Sequence, residues 1–411
     1  MKILWISHLV PYPPKAGVLI RAHHLVKELS KYHEVDLIAF NQRGLMEPYF
    51  NTYEEGTRQS RAILENFCRR VEFHDCPTDK SRFSKYWCAL KSLFTKFPYT
   101  IAWLQSTAFK QRVEELHQTH HYDLIHCDTI SLAPYIDNIK NTPLSLDHHN
   151  VESHMLLRRA QMESNPLKKF YYWQEGNRLV KFEKKYCPLF STNITCSELD
   201  NDRFRQFIPN ARYQSIPNGV DIDFFRPGDE RRNSHIIFIG TLDWYPNIRA
   251  VNFIANDIWP ILKRRRPEIV VDIVGSKPPQ ELVALGQRDE RFNVHGFVDD
   301  IMPLLNHATA YVCPINDGGG TKLKLLDAFA AGKAVVADPI ACEGLLSTDG
   351  ENVLYAETAE QFVSQIERLF DDESLRLNIE KNARGHAVNH FSFTAIGKSL
   401  ADHFQSLGNK D

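Results

Sequence analysis

The chain has 411 residues, of which 43% are hydrophobic and 24% charged, values of an ordinary globular protein. That length exceeds what one hydrophobic core usually supports, so two domains are expected. A formal net charge of −2 offers no basic excess for nucleic acid, and no apolar run reaches the roughly 18 residues of a membrane-spanning helix.

The chain opens on Lys2–Ile6, a short apolar run that reads as a buried strand. His8 and Pro11 interrupt the run and no small-residue cleavage site follows, so it is not a secretion signal. A Pro-rich loop ending at Gly17 leads into a helix predicted from about Arg21 to Lys31, and then a strand over Glu34–Phe40. Strand, loop, helix and strand make a βαβ unit, which implies a parallel sheet. Further strands are predicted at Tyr122–Cys127, Pro143–Asp147 and Thr192–Cys196, and Ser197 with Asp200 reads as a helix start.

Two segments exceed this minimal plan. Residues 80–97 carry Lys80, Arg82, Lys85, Lys91 and Lys96 without an acid, interleaved with Phe83, Tyr86, Trp87, Phe94 and Phe97. Met155–Cys187 holds eight bases against three acids, with aromatics from Phe170 to Trp173. Such surfaces suit an anionic membrane face or, read structurally, a solvated helix pair with its aromatics in the core.

Turn residues Pro217, Asn218 and Gly219, then Pro227 and Gly228, mark a linker. The second half alternates more cleanly. Strands are predicted at His235–Gly240, Ile269–Gly275, Phe292–Gly296, Ala308–Pro314 and Ala334–Asp338, with helices from Pro246 and over Lys322–Ala331. The near-continuous apolar runs suit a sheet covered on both faces. Residues 1–210 form one predicted domain and 211–390 the other, with a terminal helix over about 391–411. The eight cysteines form no Cys-x-x-Cys pair and fit reduced thiols in a cytosol, where the sequon at Asn193 is chance.

Ligands of open parallel sheets sit at the carboxyl ends of strands. After the strand ending at Pro314 come Gly318, Gly319, Gly320, Thr321, Lys322 and Lys324, then Asp327 on the same helix. Glycines let backbone approach a ligand, a helix start offers free amides, and lysines add charge, which together would cradle a diphosphate. A carboxylate such as Asp327 can accept both hydroxyls of a ribose. Taken alone, the same glycines also make a tight turn, with Asp327 paired to a lysine.

The order of these motifs resembles the retaining glycosyltransferases of family four, a GT-B family that includes bacterial polysaccharide and lipid-glycan enzymes. The resemblance covers nearly the whole chain. It implies a GT-B α/β fold: two doubly wound Rossmann-like domains facing a central cleft, with the C-terminal helix returning to the first. The first domain would bind the acceptor and the second the nucleotide-sugar. Two acids eight residues apart mark the family. The second falls on Asp327, and the first position holds Gly319.

On the donor side the resemblance implies Gly17, Gly240, Thr241, Asp243, Phe297, Val298, Gly318, Gly319, Gly320, Thr321, Lys322 and Glu343. Relatives place an Arg and a Lys after the first strand of the second domain; Asp243, Trp244 and Asn247 stand there instead, so the cation would come from Lys322 or Lys324. On the acceptor side stand Arg21, His148 and Asn150. Lys324, Asp327 and His149 would carry the chemistry, with His148 competing for the place of His149. A His-His-Asn-x-Glu cluster at 148–152 also invites a metal, but no third ligand is evident in sequence and no Asp-x-Asp follows the plan, so no metal and no cofactor are expected.

The implied reaction transfers a sugar with retention from a nucleotide-sugar to a glycan or lipid-linked acceptor in cell-surface polysaccharide synthesis. The location implied is cytoplasmic, peripheral to the inner membrane face. Two rivals stay open: a nucleotide-sugar 2-epimerase and a non-catalytic nucleotide-sugar scaffold. The missing Gly-x-Gly-x-x-Gly after the first strand argues against a dehydrogenase, and the missing Gly-x-Ser-x-Gly against a serine hydrolase.

Overall fold

The computed structural model describes residues 1–15, 17–79, 82–228, 234–317 and 321–408. The chain divides into two compact units, one of residues 1–217 with 396–411 and one of 218–395.

The first unit holds a parallel sheet of β1 (Lys2–Ser7), β2 (Glu34–Asn41), β3 (Arg70–Asp75), β4 (Leu124–Cys127), β5 (Leu144–His148), β6 (Thr192–Thr195) and β7 (Tyr213–Ser215). Their order is β3-β2-β1-β4-β5-β6-β7. The second unit holds β8 (His235–Ile239), β9 (Val270–Val274), β10 (Phe292–Gly296), β11 (Ala310–Cys313), β12 (Ala334–Ala337) and β13 (Leu354–Tyr355), in the order β10-β9-β8-β11-β12-β13. In each sheet the order reverses beside the first strand, which creates the switch point where doubly wound folds place ligands. Runs such as Ile236–Phe238 and Val271–Val274 are buried on both faces, as helices covering a parallel sheet require.

Strands β3, β7 and β13 were not visible in sequence. β3 reads Arg-Val-Glu-Phe-His-Asp, with one fully buried position, and pairs only as the outer strand beside β2. Its ladder, set by the neighbour, overrides a weak local pattern. The first helix starts at Gly17, earlier than the predicted Arg21, and ends at Leu29. No disulfide joins any of the eight cysteines.

The terminal helix, Phe393–Gly408, packs on the first unit. His403 Nε2 lies 3.0 Å from Thr192 Oγ1, and Ala401 O lies 3.2 Å from His33 Nε2. A Cβ on Gly397 would stand 2.2 Å from Glu28 Cβ, so a glycine lets this helix approach Gly17–Leu29 closely. The chain therefore crosses from one unit to the other twice.

Candidate functional site

In the second unit, Gly240 directly follows β8. A Cβ there would lie 2.7 Å from Lys324 Nζ and 3.0 Å from Asn247 Nδ2. A Cβ on Gly275, after β9, would lie 1.8 Å from Gly240 O. Glycine at both positions thus opens the carboxyl edge of the sheet to polar groups from the following helices. Asn247 is buried on the helix Tyr245–Phe253, and its Nδ2 donates to Thr241 O at 2.7 Å. That bond turns Asn247 Oδ1 towards Lys324, whose ammonium donates to it. The ammonium also sits 5.1 Å from the Phe238 ring centroid.

Lys324 and Asp327 share the helix Leu323–Ala330, which begins just beyond β11. Both are half-buried. Burial lowers the Lys324 ammonium below its usual range and pushes the Asp327 carboxyl up to about 7, against the pull of Lys324. This edge therefore holds a cation bonded to a neutral amide, beside an acid poised to change its charge near neutrality.

The other donor-side residues are less gathered. Asp243 is exposed and pairs with Lys277 at 2.5 Å, which holds its carboxyl below the usual range. That geometry gives it a partner of its own instead of a free ligand position. Phe297 is 73% exposed after β10, Val298 packs on the core and Glu343 is half-buried after the turn Pro339–Cys342. Lys322 stands at the N-cap position of that helix, and Thr321 Oγ1 is shut from solvent with no hydrogen-bond partner among the described residues. Gly318, Gly319 and Gly320 lie outside the described residues.

In the first unit, the carboxyl ends of β1, β4 and β5 collect buried charge. Arg21 is 2% exposed and grips Asp147 with Nε at 2.9 Å and Nη2 at 3.2 Å, while Nη1 donates to Pro217 O at 2.8 Å. The sequence reading set Arg21 on the acceptor side; the structure gives it a buried bidentate pair that ties its helix to β5. His8 Nδ1 lies 2.8 Å from Asp128 Oδ1, the His8 amide donates to the same oxygen at 2.9 Å, and Ser7 Oγ donates to Oδ2 at 2.5 Å. Burial opposes the charge on each partner, yet the pairing holds His8 above its usual range and Asp128 below its own.

His148 and His149 part company. The His148 ring enters the core, 3.1 Å from Asn193 Oδ1 and with its centroid 4.5 Å from that of Phe204. His149 is half-buried, its ring centroid 5.6 Å from that of His8, and its Nε2 has no partner among the described residues. Burial brings His149 down to about 4, so the ring is neutral. Asn150 is half-buried beside it, and Gly17 opens the helix that carries Arg21. Glu152, in the first turn of Glu152–Met162, is pushed up to about 7 by burial.

Sequence reasoning missed His8, Asp128 and Asn247 as members of these clusters. The signal was present for the first two, since each directly follows or closes a strand of the predicted parallel sheet. Nothing in sequence showed that β1 and β4 would be neighbours.

A family profile described as "Glycosyltransferase Family 4" matches residues 16–224, and one described as "Glycosyl transferases group 1" matches residues 233–372. An uncharacterised 44.6 kDa protein in the cps region of Klebsiella pneumoniae is 23% identical over 95% of each chain. The phosphatidyl-myo-inositol mannosyltransferase of Mycobacterium tuberculosis is 30% identical over 33% of this chain and 37% of its own length. Among solved structures, sucrose-phosphate synthase from Thermosynechococcus elongatus superposes with a TM-score of 0.68 at 14% identity, over 99% of both chains. The Anabaena protein HepE in complex with UDP superposes with a TM-score of 0.64 at 16% identity, over 99% of this chain and 100% of that one.

Proposed function

The chain belongs to glycosyltransferase family 4, and from that premise we propose that it moves a sugar from a nucleoside-diphosphate sugar to a glycan or lipid-linked acceptor in cell-surface polysaccharide synthesis. The observation that carries the reading is the cluster of Gly240, Asn247, Lys324 and Asp327 at the carboxyl edge of the second sheet. It offers what a leaving diphosphate needs, an ammonium whose hydrogen-bond partner is neutral, placed where glycines admit close approach. As the glycosidic bond breaks, charge grows on the diphosphate, and a fixed cation stabilises that charge more than the ground state. This step needs no divalent ion. Asp327, once ionised, accepts the ribose hydroxyls.

In the first unit the neutral His149, whose Nε2 has no hydrogen-bond partner among the described residues, positions the acceptor or the transferred sugar. The acceptor hydroxyl attacks on the face the diphosphate leaves, the departing phosphate takes its proton, and the anomeric configuration is retained. UDP bound to HepE and the cps-region setting of the Klebsiella relative support the donor class and the pathway.

The acceptor side also has a surface suited to an anionic membrane. Phe83, Trp87 and Phe94 are 82%, 67% and 85% exposed, as are Leu167, Phe170 and Trp173 by 81%, 63% and 54%. Arg178 ties the two segments together, donating to Phe97 O at 2.9 Å. Bare aromatics among lysines fit an interface where rings enter the headgroup layer and cations meet lipid phosphates. No helix among the described residues is long and apolar enough to cross a membrane.

Labelled nucleotide-sugars incubated with membrane acceptors in excess chelator test the reaction. Label should pass to acceptor with the donor's anomeric configuration; strict dependence on added Mg²⁺, or inversion, overturns the mechanism. Co-sedimentation with anionic vesicles tests the surface. The Phe83→Ser, Trp87→Ser, Phe94→Ser triple variant should remain in the supernatant, and equal pelleting of both proteins, or of neither, removes the membrane claim.

A further inference from the structure

We propose that His8, Asp128 and His149 form a binding site for a divalent first-row transition ion of the Zn²⁺ class. One ligand atom from each side chain lies within 4.8 Å of the other two. The donor set, two imidazoles and one carboxylate, is the chemistry that zinc, cobalt and nickel prefer over magnesium or calcium. With metal–ligand bonds of about 2.0–2.2 Å, ligand atoms must stand roughly 3.0–3.6 Å apart. His8 Nδ1 and Asp128 Oδ1 approach that already, at 2.8 Å. His149 offers its nitrogen within the 4.8 Å that spans the three ligand atoms.

A second observation points the same way. His149 Nε2 is closed off from solvent and has no hydrogen-bond partner among the described residues. A buried ring nitrogen left without a partner is costly, by about 1–3 kcal/mol, unless something completes it. The carboxylate is also prepared as a ligand, because Ser7 Oγ and the His8 amide hold it in place. Such outer bonds orient a metal-binding carboxylate and commonly change affinity by about 10–100-fold.

Binding is balanced simply. The ion takes the lone pairs of His8 Nδ1, His149 Nε2 and one Asp128 oxygen. The proton shared by His8 and Asp128 leaves to solvent, and no electron moves. Three protein ligands leave further positions for water. Because the ion occupies His149 Nε2, it competes with the acceptor hydroxyl that the transfer reading places there, so the ion would inhibit transfer and play no part in it.

The test is a titration of the tag-free full chain with Co²⁺, followed by calorimetry and by visible absorption, with neither donor nor acceptor present. One equivalent should bind and develop the absorption of nitrogen-ligated cobalt. His149→Gln and Asp128→Asn should each weaken binding at least about tenfold, while His390→Gln should not. His149 is half-buried, so its variant keeps the test sound even if Asp128→Asn fails to fold. Equal binding by wild type and His149→Gln, or no stoichiometric uptake by wild type, overturns the proposal. Inhibition of transfer by Zn²⁺ and its relief by chelator is a separate readout. It rests on the proposed reaction, whereas the Co²⁺ titration does not, so either can fail alone.

Discussion

The carboxyl edges of the two sheets are built on opposite electrostatic plans. In the first unit the buried charges satisfy one another: Arg21 grips Asp147, and Asp128 is held by His8 and Ser7. In the second, Lys324 rests on the neutral oxygen of Asn247 while burial drives Asp327 towards its neutral form. A region whose charges are internally paired gains definition of shape. One whose cation leans on an amide keeps its field for an incoming anion. Under the proposed function, the second unit is the one prepared for the diphosphate.

The strongest test of this contrast is to break the internal pairing. Arg21→Met leaves Asp147 buried without its counter-ion, and the loss should be about 3–5 kcal/mol of unfolding free energy, read in denaturant. A loss under about 1 kcal/mol would show that the first edge does not depend on that pair. The second edge should behave the other way. Lys324→Met should leave the melting temperature near that of wild type yet lower kcat/KM by about 10–100-fold, the worth of a hydrogen bond to a charged group.

Two pH measurements sharpen the comparison. In the first unit, burial pushes Glu183 up to about 8, although Ser153 Oγ donates to it at 2.5 Å. Its folded value lies above the ordinary 4.5, so the native state keeps a proton that the unfolded chain has released. Stability should therefore fall as pH rises from about 4.5 to about 8, and Glu183→Gln should flatten that slope, a difference of up to about 5 kcal/mol at the alkaline end. In the second unit, Asp327 gains its charge as pH passes about 7. If it accepts ribose hydroxyls, donor affinity should rise by up to about tenfold between mildly acidic and mildly alkaline solution, and Asp327→Asn should remove the trend. An unchanged trend in that variant would assign the dependence to another group.

Much of the fold was legible, and the reason is physical. Doubly covered parallel strands are continuous apolar runs, and β1, β2, β8, β9, β11 and β12 are of that kind, so pattern alone placed them. β3 and β7 depend on a neighbour's ladder, and nothing local marks them. The site was legible where chemistry and backbone coincide, as at Gly240, Lys324 and Asp327. It was less legible where a polar side chain could face either way: His149 was preferred to His148 by resemblance alone, and the structure turns His148 into the core beside Phe204 and His149 towards His8. The alternation along a strand fixes that choice, and it needs the register. Asp243 shows the same limit, because Lys277, its partner, comes from the next strand's loop.

Calorimetric titration of the 411-residue chain with UDP, GDP, ADP and dTDP in excess EDTA, wild type beside Lys324→Met, probes the contact between ammonium and diphosphate itself. One of these diphosphates should bind wild type without metal and bind the variant at least about tenfold more weakly, as loss of a charged hydrogen bond requires. Equal affinity for both proteins, or binding that appears only when Mg²⁺ is restored, would contradict it.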